Sequence, residues 1–419
     1  MINGISDQTL RGILQTMYQQ RTTTRSNIIH ATGLSAGIVS QALQLLLRSG
    51  MILKVGELES DAGRRKEVLT LNPDAVYFIG VDLSGHCIRF GLANFGGDLR
   101  YRCEEELGPQ SPPDVHKLFG GIERVAGTLN AQQRSRLQAV GISYTGVMDQ
   151  QGRLTAVNLG WQHFPLVAEL EKVRDARGFD YLPIFLEPEQ QSAVRAELWL
   201  GQTLHHQSGL FISCDSGIGV GIIVEGKVVG GWRNLAGELG HVTIDPAADD
   251  HCNCGKRGCL ESIATSGNIV RQYIEKTVKG SDSVANIRFA EVVERARKGE
   301  ERAVEVVGRA CRAWGLALSH AVNLLNPEII ILGGDLVAVE DVFLPLIKEE
   351  LLRHCVPELA EGLEITVSSL GLDIRLRAAA SLAFRKCLAD PALLKHMCRP
   401  VLTIHGSVAN LKEAALAVE

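Results

Sequence analysis

His241, Cys252, Cys254 and Cys259 follow the order H-x10-C-x-C-x4-C within the segment HVTIDPAADDHCNCGKRGCLE. Three thiolates and one imidazole make a complete tetrahedral shell for Zn²⁺. Gly255 and Gly258 supply turn geometry between the thiols, so one short loop can bring them together. His251 is a second imidazole beside the thiols and a competing ligand. The other seven cysteines, at 87, 103, 214, 311, 355, 387 and 398, stand singly among apolar residues and are expected to pack in cores.

A second group able to do chemistry is basic. Residues 1–71 hold eight Lys/Arg and five Asp/Glu, net +3, against a whole-chain charge of −5, so the remainder carries −8. Such asymmetry is what an appended nucleic-acid module produces. Arg64, Arg65 and Lys66 follow Gly63 in LESDAGRRK, between strands expected at 51–57 and 67–71. Ahead of them, Leu10, Ile13, Leu14 and Met17 mark a helix over 8–19, and Ile28 and Ile29 face inward on a second over 25–31. After the turn Thr32-Gly33-Leu34, Ser35 is the natural N-cap of a third helix running to Arg48. On that helix Ile38, Val39, Ala42, Leu45 and Leu46 are expected to face the first two. Ala36, Gly37, Ser40 and Gln41 are left outward, small or amide-bearing, as on the end of a helix that reads base edges in the major groove. Arg25 at the second helix, with Arg64, Arg65 and Lys66 on the hairpin, would meet phosphates or the minor groove. The expected module is a winged helix-turn-helix; the alternative is a small protein-interaction module with a solvated basic loop.

These groups need a scaffold. The chain has 419 residues, 45% hydrophobic and 22% charged, enough for two or three domains. No apolar run approaches the ~20 residues of a membrane span, and the N-terminus lacks the apolar stretch of a secretory signal. Unpaired thiols then point to a reducing cytoplasm. After Asn72-Pro73 strands and helices alternate. VYFIGVDLSGHCIRFGLANFGGDL and LFISCDSGIGVGIIVEGKVVGG each read as two apolar strands about a small-residue turn, which predicts duplicated α/β lobes with a ligand cleft between them. The expected divisions are 1–72, 73–200, 201–385 and a C-terminal extension, 386–419, with one short helix before Arg399-Pro400 and another from Ser407.

GVDLSGHCIRFGLANFGG, GISYTGVMD, DSGIGVGII, LAGELGH with CNCGKRGCLE, and NPEIIILGGDL, in this order, resemble the ROK family of repressors, open reading frames and sugar kinases, over roughly 76–385. With the winged module in front, the chain resembles the repressor branch, which includes xylose-, N-acetylglucosamine- and glucose-responsive regulators. The resemblance implies an actin-like fold of duplicated ribonuclease-H-type lobes, a sugar or sugar-phosphate effector in the cleft, and a homodimer or tetramer on a palindromic DNA operator. A protein partner docking on the zinc loop is a further possibility it opens.

Set against the family's kinases, the motifs depart. Their first loop reads Asp-x-Gly-Gly-Thr; here Asp82-Leu83-Ser84-Gly85-His86 puts Ser84 and His86 where phosphate needs room. Their second reads Gly-Thr-Gly-x-Gly; Asp215-Ser216-Gly217-Ile218-Gly219 begins with a carboxylate that repels phosphate. Their Glu-Asn-Asp-x-Asn-Ala becomes Glu187-Pro188-Glu189-Gln190-Gln191-Ser192-Ala193: Glu189 matches the base but is one methylene longer, and Pro188 loses a sugar-binding amide. Phosphorylation is therefore expected to be lost, with a kinase bearing a DNA-binding module as the alternative reading. Sugar recognition is better kept. Glu238 and Glu261 match acids that accept hydroxyl hydrogen bonds, His241 both holds the metal and faces the sugar, and Gly146, Asn158 and Glu189 complete the effector set. Trp161, in AVNLGW, is expected to stack on a sugar face.

Overall fold

In this computed structural model the described residues are 5–58, 65–83, 87–107, 114–156, 159–179, 181–201, 206–215, 217–232, 235–277 and 287–398. They form two compact units, one drawn from Met1–Val76 and Cys387–Glu419, the other from Tyr77–Lys386.

In the first unit α1 (Asp7–Gln20), β1 (Thr22–Thr24), α2 (Arg25–Thr32), α3 (Ala36–Arg48), β2 (Ile52–Leu58) and β3 (Lys66–Leu71) follow in order. Side-chain caps begin each helix: the hydroxyls of Ser6, Thr24 and Ser35 accept from the amides of Thr9, Asn27 and Ile38. Gly33, in the left-handed region, ends α2 and turns the chain into α3. The three strands make an antiparallel sheet in the order β1-β3-β2. β1, three threonines, was not foreseen, being too short for periodicity to register. Ile38 is also a correction: it is 42% exposed rather than inward, while Leu43 is buried.

The second unit contains two lobes of one topology. Lobe 1 comprises β4 (Tyr77–Leu83), β5 (Cys87–Asn94), β6 (Leu99–Glu106), α4 (Val115–Gly127), α5 (Ala131–Arg134), β7 (Leu137–Tyr144), β8 (Val147–Met148), β9 (Leu154–Ala156), β10 (Trp161–Phe164), α6 (Leu166–Ala176), β11 (Ile184–Pro188) and α7 (Glu189–Leu200). Lobe 2 comprises β12 (Gly209–Cys214), β13 (Ile218–Val224), β14 (Lys227–Val228), α8 (Leu260–Ala264), α9 (Ser266–Thr277), α10 (Phe289–Arg297), α11 (Glu301–Leu325), β15 (Ile329–Gly334), α12 (Glu340–His354), α13 (Pro357–Ala360) and β16 (Glu364–Val367). After it come α14 (Ile374–Ala389) and α15 (Pro391–Met397). The main sheets run β11-β7-β4-β5-β6 and β16-β15-β12-β13-β14. In each, the first strand pairs antiparallel with the second and parallel with the fourth. The lobes are thus structural duplicates, an actin-like arrangement.

Strands β4, β7 and β12 are buried along their whole length and read as largely apolar runs, as is expected of strands covered on both faces. One face of lobe 1 packs on α4 and α6. The other receives α14, and glycine decides how closely. A Cβ on Gly80 would lie 2.4 Å from the Leu376 carbonyl oxygen, and one on Gly141 1.9 Å from that of Ala379. In the same way Gly219 and Gly221 leave room for Gln190 and Val194 of α7, at 2.2 and 2.3 Å from the missing Cβ positions. These contacts carry the first residues of α7 and α14 to the ends of β4 and β12.

The segment from 386 onward gains a structural role. Arg11 of α1 donates through Nε to the Leu388 carbonyl at 2.9 Å and through Nη2 to that of Ala389 at 2.6 Å. The helix foreseen from Ser407 lies outside the described residues. Among those described, no helix is long and apolar enough to cross a membrane.

Candidate functional site

The four expected metal ligands converge. His241 ends a 3-10 turn at Leu239–His241, and Cys259 is the residue before α8. Cys252 Sγ lies 3.4 Å from His241 Nδ1, Cys254 Sγ lies 3.8 Å from Cys259 Sγ, and all four ligand atoms fall within 4.8 Å of one another. A regular tetrahedron on Zn–S bonds of about 2.3 Å and a Zn–N bond of about 2.1 Å has edges of about 3.8 Å between sulfurs and about 3.6 Å between nitrogen and sulfur. The cluster has the size of a metal site. His241, not His251, completes it.

The loop is held from outside. The Gly258 amide donates to the Asp250 carbonyl at 2.9 Å, and that of Ile244 to the Gly258 carbonyl at 2.7 Å. Arg309 on α11 grips the Asp250 carboxylate through both terminal nitrogens and donates to Gln272 Oε1 at 2.8 Å. Without an ion, burial pushes the Cys252 thiol up to about 12. At Cys254 burial is outweighed by the Lys256 amide and the neighbouring thiols, which bring it below the usual thiol range.

Behind the metal cluster stand the two acids. The other ring nitrogen of His241, Nε2, faces Glu238 Oε2 at 3.8 Å. Burial, and then the like charge of Glu261, hold the Glu238 carboxyl above the ordinary range against the pull of His241. Glu261 is buried and accepts the Ile218 amide at 3.1 Å on Oε2. His241 therefore offers opposite edges of one ring to the thiols and to Glu238.

A second charged group, not read from the sequence, lies where the lobes meet. Arg375, at the start of α14, pairs with Asp215 Oδ2 and lies 3.1 Å from Glu189 Oε1. Asp82, at the end of β4, is fully buried, bonds Arg89 at 3.3 Å and acts on Arg375 as a third carboxylate. Burial works against the Arg375 charge, but Glu189, Asp215 and Asp82 together hold its pKa above the ordinary guanidinium value. Asp215 is held above the carboxylate range by burial, with Arg375 opposing and Asp335 adding to the shift. Nearby, Glu187 takes Arg385 at 2.6 Å and Arg195 at 3.2 Å. Glu189 is thus buried and ion-paired, and Gly219 makes room for Gln190.

One expectation about the effector side changes. Trp161 is 1% exposed in the lobe 1 core and offers no face for stacking. Among the described residues the exposed tryptophan is Trp232, 88% accessible between Gly230 and Ala236, whose amide donates to the Gly230 carbonyl, and six residues before Glu238. Gly146 has φ +98°, and the Thr155 carbonyl oxygen would lie 2.3 Å from a Cβ there, so the approach of β9 alone demands glycine. Asn158, Ser84 and His86 lie outside the described residues.

On the first unit Ala36, Gly37 and Gln41 are exposed on α3, with Ile38 beside them. The Ser40 hydroxyl is spent on the Ala36 carbonyl at 2.7 Å, and Arg25 reaches the same carbonyl at 3.2 Å. Arg65 is exposed and pairs with Glu57 at 3.3 Å; Lys66 is exposed, and Arg64 lies outside the described residues.

Comparison with known proteins gives this geometry a lineage. The xylose repressor of Caldicellulosiruptor bescii is 26% identical over 370 residues, 85% of this chain and 90% of the relative. A ROK family transcriptional regulator, a homologue of the Escherichia coli MLC protein, shares the fold over 93% of this chain and 99% of its own at 24% identity, with a TM-score of 0.74. A ROK glucokinase from Streptomyces griseus, solved with glucose and AMPPNP, matches at 26% identity and a TM-score of 0.63, but over 74% of this chain and 99% of its own. The ROK family model matches residues 78–386, the whole two-lobed unit less a single residue, and the chain belongs to the ROK family.

Proposed function

We propose that this protein is a sugar-responsive transcriptional repressor whose metal-bearing, two-lobed unit senses the effector and whose N-terminal unit, a winged helix-turn-helix, binds a palindromic operator as a homo-oligomer. The observation that carries the reading is the extent of likeness. Resemblance to the regulator runs over 93% of the chain, too much to leave out the N-terminal unit, whereas the glucokinase stops at 74%. In this reading α3 enters the major groove with Ala36, Gly37, Ile38 and Gln41 at base edges, Ile38 suiting a thymine methyl. Ser35 and Ser40 shape the start of that helix. Arg25, Arg64, Arg65 and Lys66 meet phosphates, and a dimer sets two such helices about 34 Å apart.

Glu238, Glu261, Glu189 and His241, together with Gly146 and Asn158, hold the sugar through hydroxyl hydrogen bonds. Zn²⁺ held by His241, Cys252, Cys254 and Cys259 supplies no reaction; it fixes the His241 ring and the loop that leads into α8, which carries Glu261. Effector binding shifts the lobes between two states for which it has different affinity, and that difference is all it can transmit. Against the kinase reading stands the Asp215 carboxylate at the second glycine loop, a charge that repels phosphate. Selection of genomic fragments by the zinc-loaded protein, with and without a panel of sugars, tests the proposal. One palindrome released or strengthened by one sugar is expected. No enrichment under any condition, together with ATP consumption, would replace it with the kinase.

A further inference from the structure

The sheet of the first unit ends on an open edge. β2 is its outer strand in the order β1-β3-β2, and among the described residues no strand lies beyond it. Every residue from Leu53 to Leu58 is exposed, Leu53 by 41% and Val55 and Leu58 each by 54%. Proteins usually blunt such an edge, because a free strand is a template for another. The register shift between Lys54 and Gly56 leaves Val55 without a partner on β3, and this bulge decides which side chains share a face. Leu53 pairs with Thr70 and Leu58 with Lys66, an even number of residues apart on β3, so both leucines lie on one face. Lys54 pairs with Leu69 and Glu57 with Glu67, again an even number apart, so both charges lie on the other face. In a regular strand Leu53 and Leu58 would point to opposite faces; the bulge brings them together.

The stretch LKVGEL is consequently complementary to itself read backwards. An antiparallel copy placed edge to edge, about a two-fold axis at Val55 and Gly56, sets Leu53 against the partner's Leu58 on one face and Lys54 against the partner's Glu57 on the other. By symmetry each pair occurs twice, so leucines from both copies leave water side by side and opposite charges stand directly across from one another. The charge match also relieves a conflict inside each copy, where Glu57 faces Glu67 across the ladder. Gly56 fits the same arrangement. It has neither a positive φ nor any described atom within 4 Å of its Cβ position, so its own chain does not demand glycine, whereas a second backbone passing close by does. We propose that β2 is a self-recognition strand: two copies of this chain join their N-terminal units by antiparallel pairing of β2 with β2, making one continuous sheet. The inference deepens the homo-oligomer proposed above, on which it rests.

Charge reversal in the full-length, zinc-loaded protein tests it. Lys54→Glu makes both charged positions acidic and Glu57→Lys makes both basic, so each homodimer opposes like charges, while a mixed dimer of the two variants restores both pairs. The change each variant makes against its own Glu67 or Arg65 is the same in either dimer and cancels. With each homodimer weakened about tenfold relative to the mixed one, an equimolar mixture after subunit exchange is expected to hold about nine-tenths mixed dimer instead of the random half. Native mass spectrometry of differently tagged chains reads the fraction. A mixture that stays at the random half overturns the strand pairing and leaves the homo-oligomer standing, with Leu53, Val55 and Leu58 free to meet DNA instead. A wild type that is monomeric throughout a dilution series overturns the homo-oligomer and the pairing together.

Discussion

The carbonyl oxygen of Ala379 occupies the place where a side chain on Gly141 would begin, 1.9 Å from its ideal Cβ. The contact seats α14 directly on β7 and so fixes Arg375, four residues earlier, at the interlobe charges. Gly141→Ala must push a backbone aside and is expected to cost about 3 kcal/mol, the upper end for overpacking. Gly120, on α4, has nothing within 4 Å of its Cβ position, and Gly120→Ala should instead stabilise by about 0.5–1 kcal/mol. Urea unfolding of both variants checks the pair, and equal effects would refute the packing argument.

Metal retention should follow the cluster and its brace separately. Cys254→Ser is expected to abolish stoichiometric zinc and lower the melting temperature. Arg309→Ala leaves all four ligands in place but takes the grip off Asp250, two residues before Cys252. It should lose about 1.5–3 kcal/mol of stability and release zinc to a chelator faster than wild type. Zinc content by colorimetric titration, with release followed in time, distinguishes the two.

Salt dependence reports the basic hairpin. Arg65 meets Glu57 at 3.3 Å while both are exposed, an ion pair weak enough to be exchanged for a phosphate. Arg65→Ala should weaken operator binding and reduce the slope of log K against log salt by about 0.9. An unchanged slope would remove Arg65 from the interface.

Asp215 gives the stability curve a sign. Burial lifts its folded pKa above the unfolded one, against Arg375, with Asp335, Glu189 and Asp82 as the other charges around it. Between those two values the native state binds more protons than the unfolded state, so this group's contribution strengthens as pH falls toward the carboxylate range and is weakest where Asp215 is fully ionised. Asp215→Asn has no proton to bind. The stability of wild type relative to the variant should therefore increase from pH 7.5 to pH 5, measured by urea unfolding at each pH; a difference that shrinks would contradict the shift.

Local spacing carried much of this site. The thiols and His241 lie within 19 residues, and the helices and hairpin of the first unit follow one another along the chain. The repeat of two strands about a small-residue turn likewise announced a duplicated scaffold. Arg375 was invisible for the opposite reason. It sits in LDIRLRAAAS, an ordinary helical stretch, and its partners at 82, 189 and 215 reach it only through the glycine-seated helices α7 and α14. Trp161 was misread because nearness to a glycine loop says nothing of which face of β10 the indole takes. Ile38 was counted with the apolar stripe of α3, although its neighbour Val39 marks the buried edge.

A divalent ion in a cleft comes and goes with its concentration in the surrounding solution, and a nucleotide brings the energy state of the cell with it. The guanidinium of Arg375 does neither: it is fixed to the chain, keeps its charge throughout the physiological pH range and cannot be chelated or diluted away. On the proposed reading, a cation built into the chain at this place would leave the response of the lobes independent of the supply of any ion that has to be bound from solution.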